Sequence, residues 1–188
     1  GGSYTKKVVV DRCRIENIST DGSIEDATIK NSKINYAYGQ GGQTNSSCKF
    51  INCNIRRVNT NTKAMFVNSI INEVGNGTSE YLGDNAILVN TLYHNMNGYD
   101  PMEKTSQQDC WSTTETLISN NNSDMDCTMT ADQLKSAGYL GVDGTVVGIE
   151  GGVNPYSLTI HAPVINSKSA NVDLNNKKVT INVNVTAN

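Results

Sequence analysis

The groups able to do acid–base or covalent chemistry in this 188-residue chain are 18 acids, two histidines and five cysteines. Glycoside cleavage needs two carboxyl groups roughly 5 to 9.5 Å apart, and calcium needs clustered oxygen ligands. One stretch concentrates the acids, as Asp100, Glu103, Asp109, Glu115, Asp124 and Asp126. Within it, Asp124-Met125-Asp126 reads either as half of a calcium loop or as a solvated acidic turn, without EF-hand spacing. His94 and His161 fall in no zinc-binding spacing and no glycine-rich phosphate loop occurs, so no metal or cofactor site is expected, calcium being the one ion left open. Binding chemistry is better represented. Arg56 and Arg57 are adjacent, and with Tyr36, Asn72 and His94 they would offer guanidinium, aromatic, amide and imidazole groups to sugar hydroxyls or a uronate carboxylate. Whether these five residues meet depends on the elements that carry them.

An internal repeat supplies those elements. Aligning Arg12, Asn31, Asn52, Asn68 and Asn90 gives gaps of 19, 21, 16 and 22 residues. Four places before the aligned residue stand Val8, Ala27, Cys48, Ala64 and Ala86; two before stand Val10, Ile29, Phe50, Phe66 and Leu88. Apolar columns two apart describe a half-buried strand. After the aligned residue the small column Cys13, Ser32, Cys53, Ser69 and Thr91 leads into Ile15, Ile34, Ile55, Ile71 and Tyr93, which marks a second strand. Inward positions at minus four, minus two, plus one, plus three and plus six break period two at the aligned residue, so the chain must turn a corner there. Asn accepts the left-handed backbone conformation of such a corner more readily than any residue but Gly. Stacked side chains of Asn31, Asn52, Asn68 and Asn90 would also form a hydrogen-bonded ladder.

Short strands joined by corners and repeated in this way predict an all-β chain, a right-handed parallel β-helix of five to seven rungs. The composition agrees, because 26 Asn, 16 Ser, 18 Thr and 16 Gly disfavour helix interiors. Insertions at 39–47 and 75–85 place variable loops at one corner, where partners are met. The pattern fades over 97–126, which leaves one excursion and an irregular rung at 116–119. A short helix is expected at 131–138, and a small C-terminal β-hairpin from 172–174 and 179–185 about Asn175-Asn176-Lys177-Lys178. The expected division is 4–152 for the β-helix and 153–188 for the hairpin segment.

Columns in adjacent rungs lie about 4.8 Å apart, which turns spacing into distance. Glu25 and Asp84 share a column but stand about 14 Å apart, so the rungs hold no acid pair. On the plus-four and plus-five columns, Tyr36, Arg56, Arg57, Asn72 and His94 fall on one outward surface, with a hydrated β surface pairing Arg57 to Glu73 as the alternative. Ile51, Val67, Val89, Ile70 and Leu92 also face outward, a larger apolar patch than a monomer exposes. The excursion or the hairpin is expected to cover it, or else a partner subunit. Five cysteines leave at least one thiol unpaired. Cys13 and Cys53 are too far apart to bridge and read as core residues, and Cys110 with Cys127 is the pair able to form a disulfide across the excursion.

The rung signature in Phe50-Ile51-Asn52-Cys53-Asn54-Ile55 resembles the repeat of pectate-lyase-like right-handed β-helix proteins. The run Asp143-Gly144-Thr145-Val146-Val147-Gly148-Ile149-Glu150-Gly151-Gly152 with Pro155-Tyr156 is similar to the closing segment of secreted β-helix proteins of Bacteroidetes. The resemblance implies a secreted, cell-surface or periplasmic home and a polysaccharide or cell-surface glycan as partner. Active relatives of this kind are polysaccharide lyases, hydrolases and epimerases.

A net charge of -3 lacks the footprint of a nucleic-acid binder. No apolar run is long enough to span a membrane, and Val8 to Val10 is too short for a signal peptide. The Gly1-Gly2-Ser3 start enters a rung without a cap, as expected of a processed chain or a piece of a longer β-helix. The resulting expectation is an extracytoplasmic carbohydrate-binding or surface-adhesion module without catalysis of its own. The alternatives are a polysaccharide lyase or glycoside hydrolase acting on acidic polysaccharide, and a structural spacer. Ligand and oligomeric state stay open.

Overall fold

The structure, a computed structural model, describes residues 7–19, 26–39, 47–75, 80–84, 86–95, 100–119, 124–156, 164–173 and 176–186. It divides into two units, Gly1–Tyr156 and Ser157–Asn188. In the first, β1 (Val8–Asp11), β3 (Asp26–Lys30), β5 (Ser47–Ile51), β7 (Met65–Val67), β9 (Ile87–Val89) and β11 (Ser106–Gln108) form one parallel sheet in that order. The strands β2 (Arg14–Ser19), β4 (Lys33–Tyr38), β6 (Asn54–Val58), β8 (Ile70–Val74), β10 (Leu92–His94) and β12 (Trp111–Thr113) form the other. Each odd strand turns directly into the next even one, so the described residues of this unit form a parallel β-helix of six rungs, in keeping with an all-β fold, and register pairs such as Val10 with Ile29 and Ile29 with Phe50 follow the repeat.

Two local devices make the corner from the first sheet to the second in each described rung. The corner residue is left-handed, with φ 52° at Arg12, 46° at Asn31, 51° at Asn52, 49° at Asn68, 44° at Asn90 and 51° at Asp109. The next side chain turns inward and donates back to the carbonyl two residues earlier. Cys13 donates to Asp11, Ser32 to Lys30, Cys53 to Ile51, Ser69 to Val67, Thr91 to Val89 and Cys110 to Gln108, over 2.7 to 3.4 Å. From the second rung on, the same carbonyl also accepts the corner amide of the preceding rung, as Asn31 N to Ile51 O at 2.9 Å and Asn52 N to Val67 O at 3.1 Å, so the latch is its second bond and satisfies the buried hydroxyl or thiol itself. Each described corner carries a small residue with an O–H or S–H donor there, and Cys serves in the same capacity as Ser and Thr.

The aligned Asn side chains form a ladder over part of their length. Asn52 Nδ2 donates to Asn31 Oδ1 at 3.4 Å, and Asn31 Nδ2 to Asp11 Oδ1 at 3.0 Å. Burial pushes the Asp11 carboxyl up, but the hydrogen bonds from Asn31 and Lys30 and the charges of Lys30 and Arg12 outweigh it and hold the group below its ordinary value. Asn68 instead turns Oδ1 to the Val142 amide, 3.1 Å away.

The inward columns pack as one core between the sheets. Phe50 and Phe66, in adjacent rungs, stack with centroids 5.0 Å apart and planes 9° from parallel. Ile34, Ile55 and Ile71 fill the facing column, each at most 1% exposed. Burial drives the Cys48 and Cys53 thiols up to about 12, which keeps both as inert thiols.

Two expectations are corrected. The last rung lies at β11 and β12 with Asp109 at its corner, not at 116–119. Its inward sites Gln107 and Ser112 are polar and exposed, because the end of the stack needs no further core. The disulfide between Cys110 and Cys127 is absent, since both thiols are free. Cys110 is the latch of the sixth corner and packs toward the interior, whereas Cys127 packs in a separate outer cluster.

That outer cluster covers the apolar outer face of the second sheet. Ile70 and Leu92 are sealed beneath Leu117, Ile118, Met125, Leu134, Val146 and Val147, so the excursion folds back as expected and extends to 147. The short helix α1 (Ala131–Ser136) carries Leu134 into this layer, and its capping box is formed by Thr130 and Gln133. The glycine-rich closing segment lies against the Asn columns. Gly148, at φ 81°, leaves no room for a Cβ, which would stand 2.5 Å from Asn54 Oδ1. Ile51, Val67 and Val89 lie across the corner on the first sheet and stay half-buried.

The second unit holds an antiparallel hairpin of β13 (Val164–Asp173) and β14 (Lys178–Thr186). It is longer than the sequence indicates, and Leu174 and Asn175 of its turn lie outside the described residues. Among the described residues no helix is long and apolar enough to cross a membrane.

The left-handed corner has a measurable signature at Asn90, where the side-chain Oδ1 has no hydrogen-bond partner and Ala and Gly remove the same amide. Asn90→Ala is expected to be less stable than Asn90→Gly by about 1–2 kcal/mol in equilibrium denaturation, because Ala resists positive φ and Gly does not. Equal stabilities would contradict it.

Candidate functional site

Successive rungs bring two of the five proposed contact residues, Tyr36 and Arg57, onto one strip of the second sheet. Tyr36, Arg57 and Glu73 are register partners on β4, β6 and β8. Arg57 Nη2 meets both Glu73 oxygens, at 3.2 and 3.3 Å, and the guanidinium lies 5.9 Å from the Tyr36 ring centroid. The pairing with Glu73 is the one the spacing anticipates, and it holds the guanidinium in place beside the aromatic ring. Arg56, half-buried, occupies the adjoining column.

Two residues missed by sequence reasoning complete the strip. Tyr38 stands 5.5 Å from Tyr36, centroid to centroid and tilted by 32°, and Asn59 Nδ2 donates to the Tyr36 hydroxyl at 3.1 Å. The signal for Tyr38 was the Tyr-Ala-Tyr alternation around inward Ala37, which puts both rings on the outer face of one strand.

Asn72 and His94 depart from the surface role. Asn72 is 6% exposed, and its Oδ1 accepts from the amides of Leu117 and Ile118, at 2.9 and 2.8 Å. It is the anchor of the excursion. His94 is half-buried, with Nδ1 3.2 Å from the Asn72 carbonyl, which can only accept, so Nδ1 carries the proton. The sequence could place both on the outward face but not foresee that the excursion would cover Asn72. Of the loops expected to add contacts, 40–46, 76–79 and Asn85 lie outside the described residues.

The acids of the excursion are dispersed among structural tasks. Asp100 accepts from the Tyr93 hydroxyl at 3.0 Å and the Met102 amide at 2.8 Å. Burial, and then the Asp100 charge, push the Tyr93 hydroxyl up to about 12. Asp109 makes a corner, and Asp126 pairs with the Lys33 ammonium, whose side chain is only 4% exposed. Glu103 and Glu115 are exposed on the surface. Among the described residues no group of three or more His, Cys, Asp or Glu side chains is placed to hold a metal ion.

No protein-family model, curated protein or solved structure matches the chain. The functional reading therefore rests on the geometry of the strip.

The anchoring role of Asn72 separates it from its neighbours. Asn72→Ala leaves two buried amides without an acceptor and is expected to cost about 1–3 kcal/mol of stability in chemical denaturation. A loss under 0.5 kcal/mol would show that the two bonds do not hold the excursion.

Proposed function

We propose that this chain is an extracytoplasmic carbohydrate-binding or surface-adhesion module without catalysis of its own, whose partner is a polysaccharide or cell-surface glycan. The observation that carries the reading is the strip of Tyr36, Tyr38 and Arg57, in which two aromatic rings and a guanidinium are held side by side on a rigid sheet. Aromatic rings take the apolar face of a sugar, and a guanidinium donates to hydroxyls or, in bidentate fashion, to a uronate carboxylate. Arg56 and the Asn59 amide extend the polar margin of the strip. Mounting these groups on strands rather than loops lowers the ordering cost of binding.

The β-helix repeat and the glycine-rich closing run support the same direction, through their resemblance to pectate-lyase-like and secreted Bacteroidetes proteins. The export and surface location rest on that resemblance. Lyase or hydrolase action is the competing outcome, with acids of the excursion as its source.

A glycan array on the purified chain, joined to lyase and reducing-sugar assays with and without calcium, decides between them. Binding without product is expected. Tyr36→Ala or Arg57→Ala should weaken binding to the best glycan by about tenfold or more, the equivalent of 1.4 kcal/mol, while leaving the unfolding midpoint near that of the parent. Product formation would replace the module by an enzyme. Silence on every glycan would leave a structural spacer.

A further inference from the structure

A second cleft, separate from the strip, lies on the outer face of the second sheet where the excursion crosses it. Its volume is about 230 Å³. Ile70, Leu134 and Val147 give it an apolar side, and Asn54, Asp126 and Glu150 give it a polar one. Asn54 is 1% exposed, and its Oδ1 accepts from the Ile149 amide at 3.2 Å while Nδ2 has no partner. A buried amide donor without a partner is costly, and such a group at a cavity is explained when a ligand supplies the acceptor.

The mixture of groups selects the ligand class. Asp126 is already paired with the Lys33 ammonium, so the charge that would repel a phosphate or carboxylate is that of Glu150. A simple ammonium ion would satisfy Glu150 but offer no acceptor to Asn54. A hydroxyl both donates and accepts, so adjacent hydroxyls can take the Asn54 donor and a carboxylate acceptor together, while ring C–H groups lie on Ile70 and Leu134. We propose that this cleft binds one neutral sugar ring, of pyranoside size, by pairing Asn54 Nδ2 and the Asp126 and Glu150 carboxylates with its hydroxyls. The inference rests on the carbohydrate-binding reading above and adds to it a pocket with the opposite charge preference. Neutral rings enter the cleft, and uronates favour the arginine strip.

Titration of the full ¹⁵N-labelled chain with methyl hexopyranosides and the matching methyl hexuronates tests this by amide shifts. Saturable shifts are expected at 126–134 and 147–150 with a neutral glycoside, about tenfold weaker with the uronate. Asn54→Asp keeps the acceptor for Ile149 and removes the donor, and should weaken neutral-sugar binding by about tenfold. Ala131→Leu narrows the cleft, leaves Asn54 untouched, and should do the same if Asn54→Asp fails to fold. Shifts confined to Tyr36, Tyr38 and Arg57 would overturn the cleft and leave the module reading intact. Shifts at the cleft with a silent strip would uphold the cleft and overturn the strip. Shifts at neither with any glycoside, or cleft shifts unchanged in both variants, would overturn the cleft.

Discussion

Every rung depends on one corner, a left-handed residue followed by a side chain that donates back to the carbonyl two places earlier. The carbonyl is met twice, by this side chain and by the corner amide of the preceding rung, which ties neighbouring corners together; without positive φ, the next side chain would not point inward. The corner thereby sets the phase of both strands. It decides that Ile34, Ile55 and Ile71 face the core and that Tyr36 and Arg57 face out. The strip is a consequence of the same register that stacks Phe50 on Phe66.

The outer face of the second sheet is divided between cover and exposure. Its plus-two column changes from Lys33 through Asn54 to Ile70 and Leu92, and the covering chain answers each in kind. Asp126 meets Lys33, the Ile149 amide meets Asn54, and Leu117 and Leu134 pack with Ile70 and Leu92. Tyr156 adds its ring 5.0 Å from the Lys33 ammonium. Charges and amides on an otherwise apolar seam fix where the excursion lies, because a shifted register would leave each of them buried without a partner. The plus-five column with Tyr36 and Arg57 carries the strip, and the cleft opens where the cover meets Asn54.

Legibility in the sequence followed the strength of local physics. The repeat, the Asn corners and the core columns were plain because each is enforced in every rung by burial or by positive φ. The sixth rung escaped notice because Asp109 replaces Asn, and the end of the stack permits Gln107 and Ser112 at inward sites. Cys110 read as half of a disulfide because its latch role becomes visible only when its carbonyl partner is known. In retrospect its alignment with Cys13, Ser32 and Cys53 was the available signal. The fates of Asn72 and Asn54 were set by contacts with residues 45 and 95 positions away. Periodicity is silent on such contacts.

The most direct test of the corner is made at Ser69, fully buried in the middle of the stack. Its hydroxyl donates to the Val67 carbonyl at 2.9 Å and accepts from the Cys53 amide at 3.2 Å. Ser69→Ala and Ser69→Cys should be compared with the parent by equilibrium denaturation. Ala leaves the Val67 carbonyl with the Asn52 amide but takes away the acceptor of the buried Cys53 amide, which predicts a loss of about 1–3 kcal/mol, and a smaller one for Cys, whose thiol already fills this site at Cys13, Cys53 and Cys110. An Ala variant as stable as the Cys variant would contradict it.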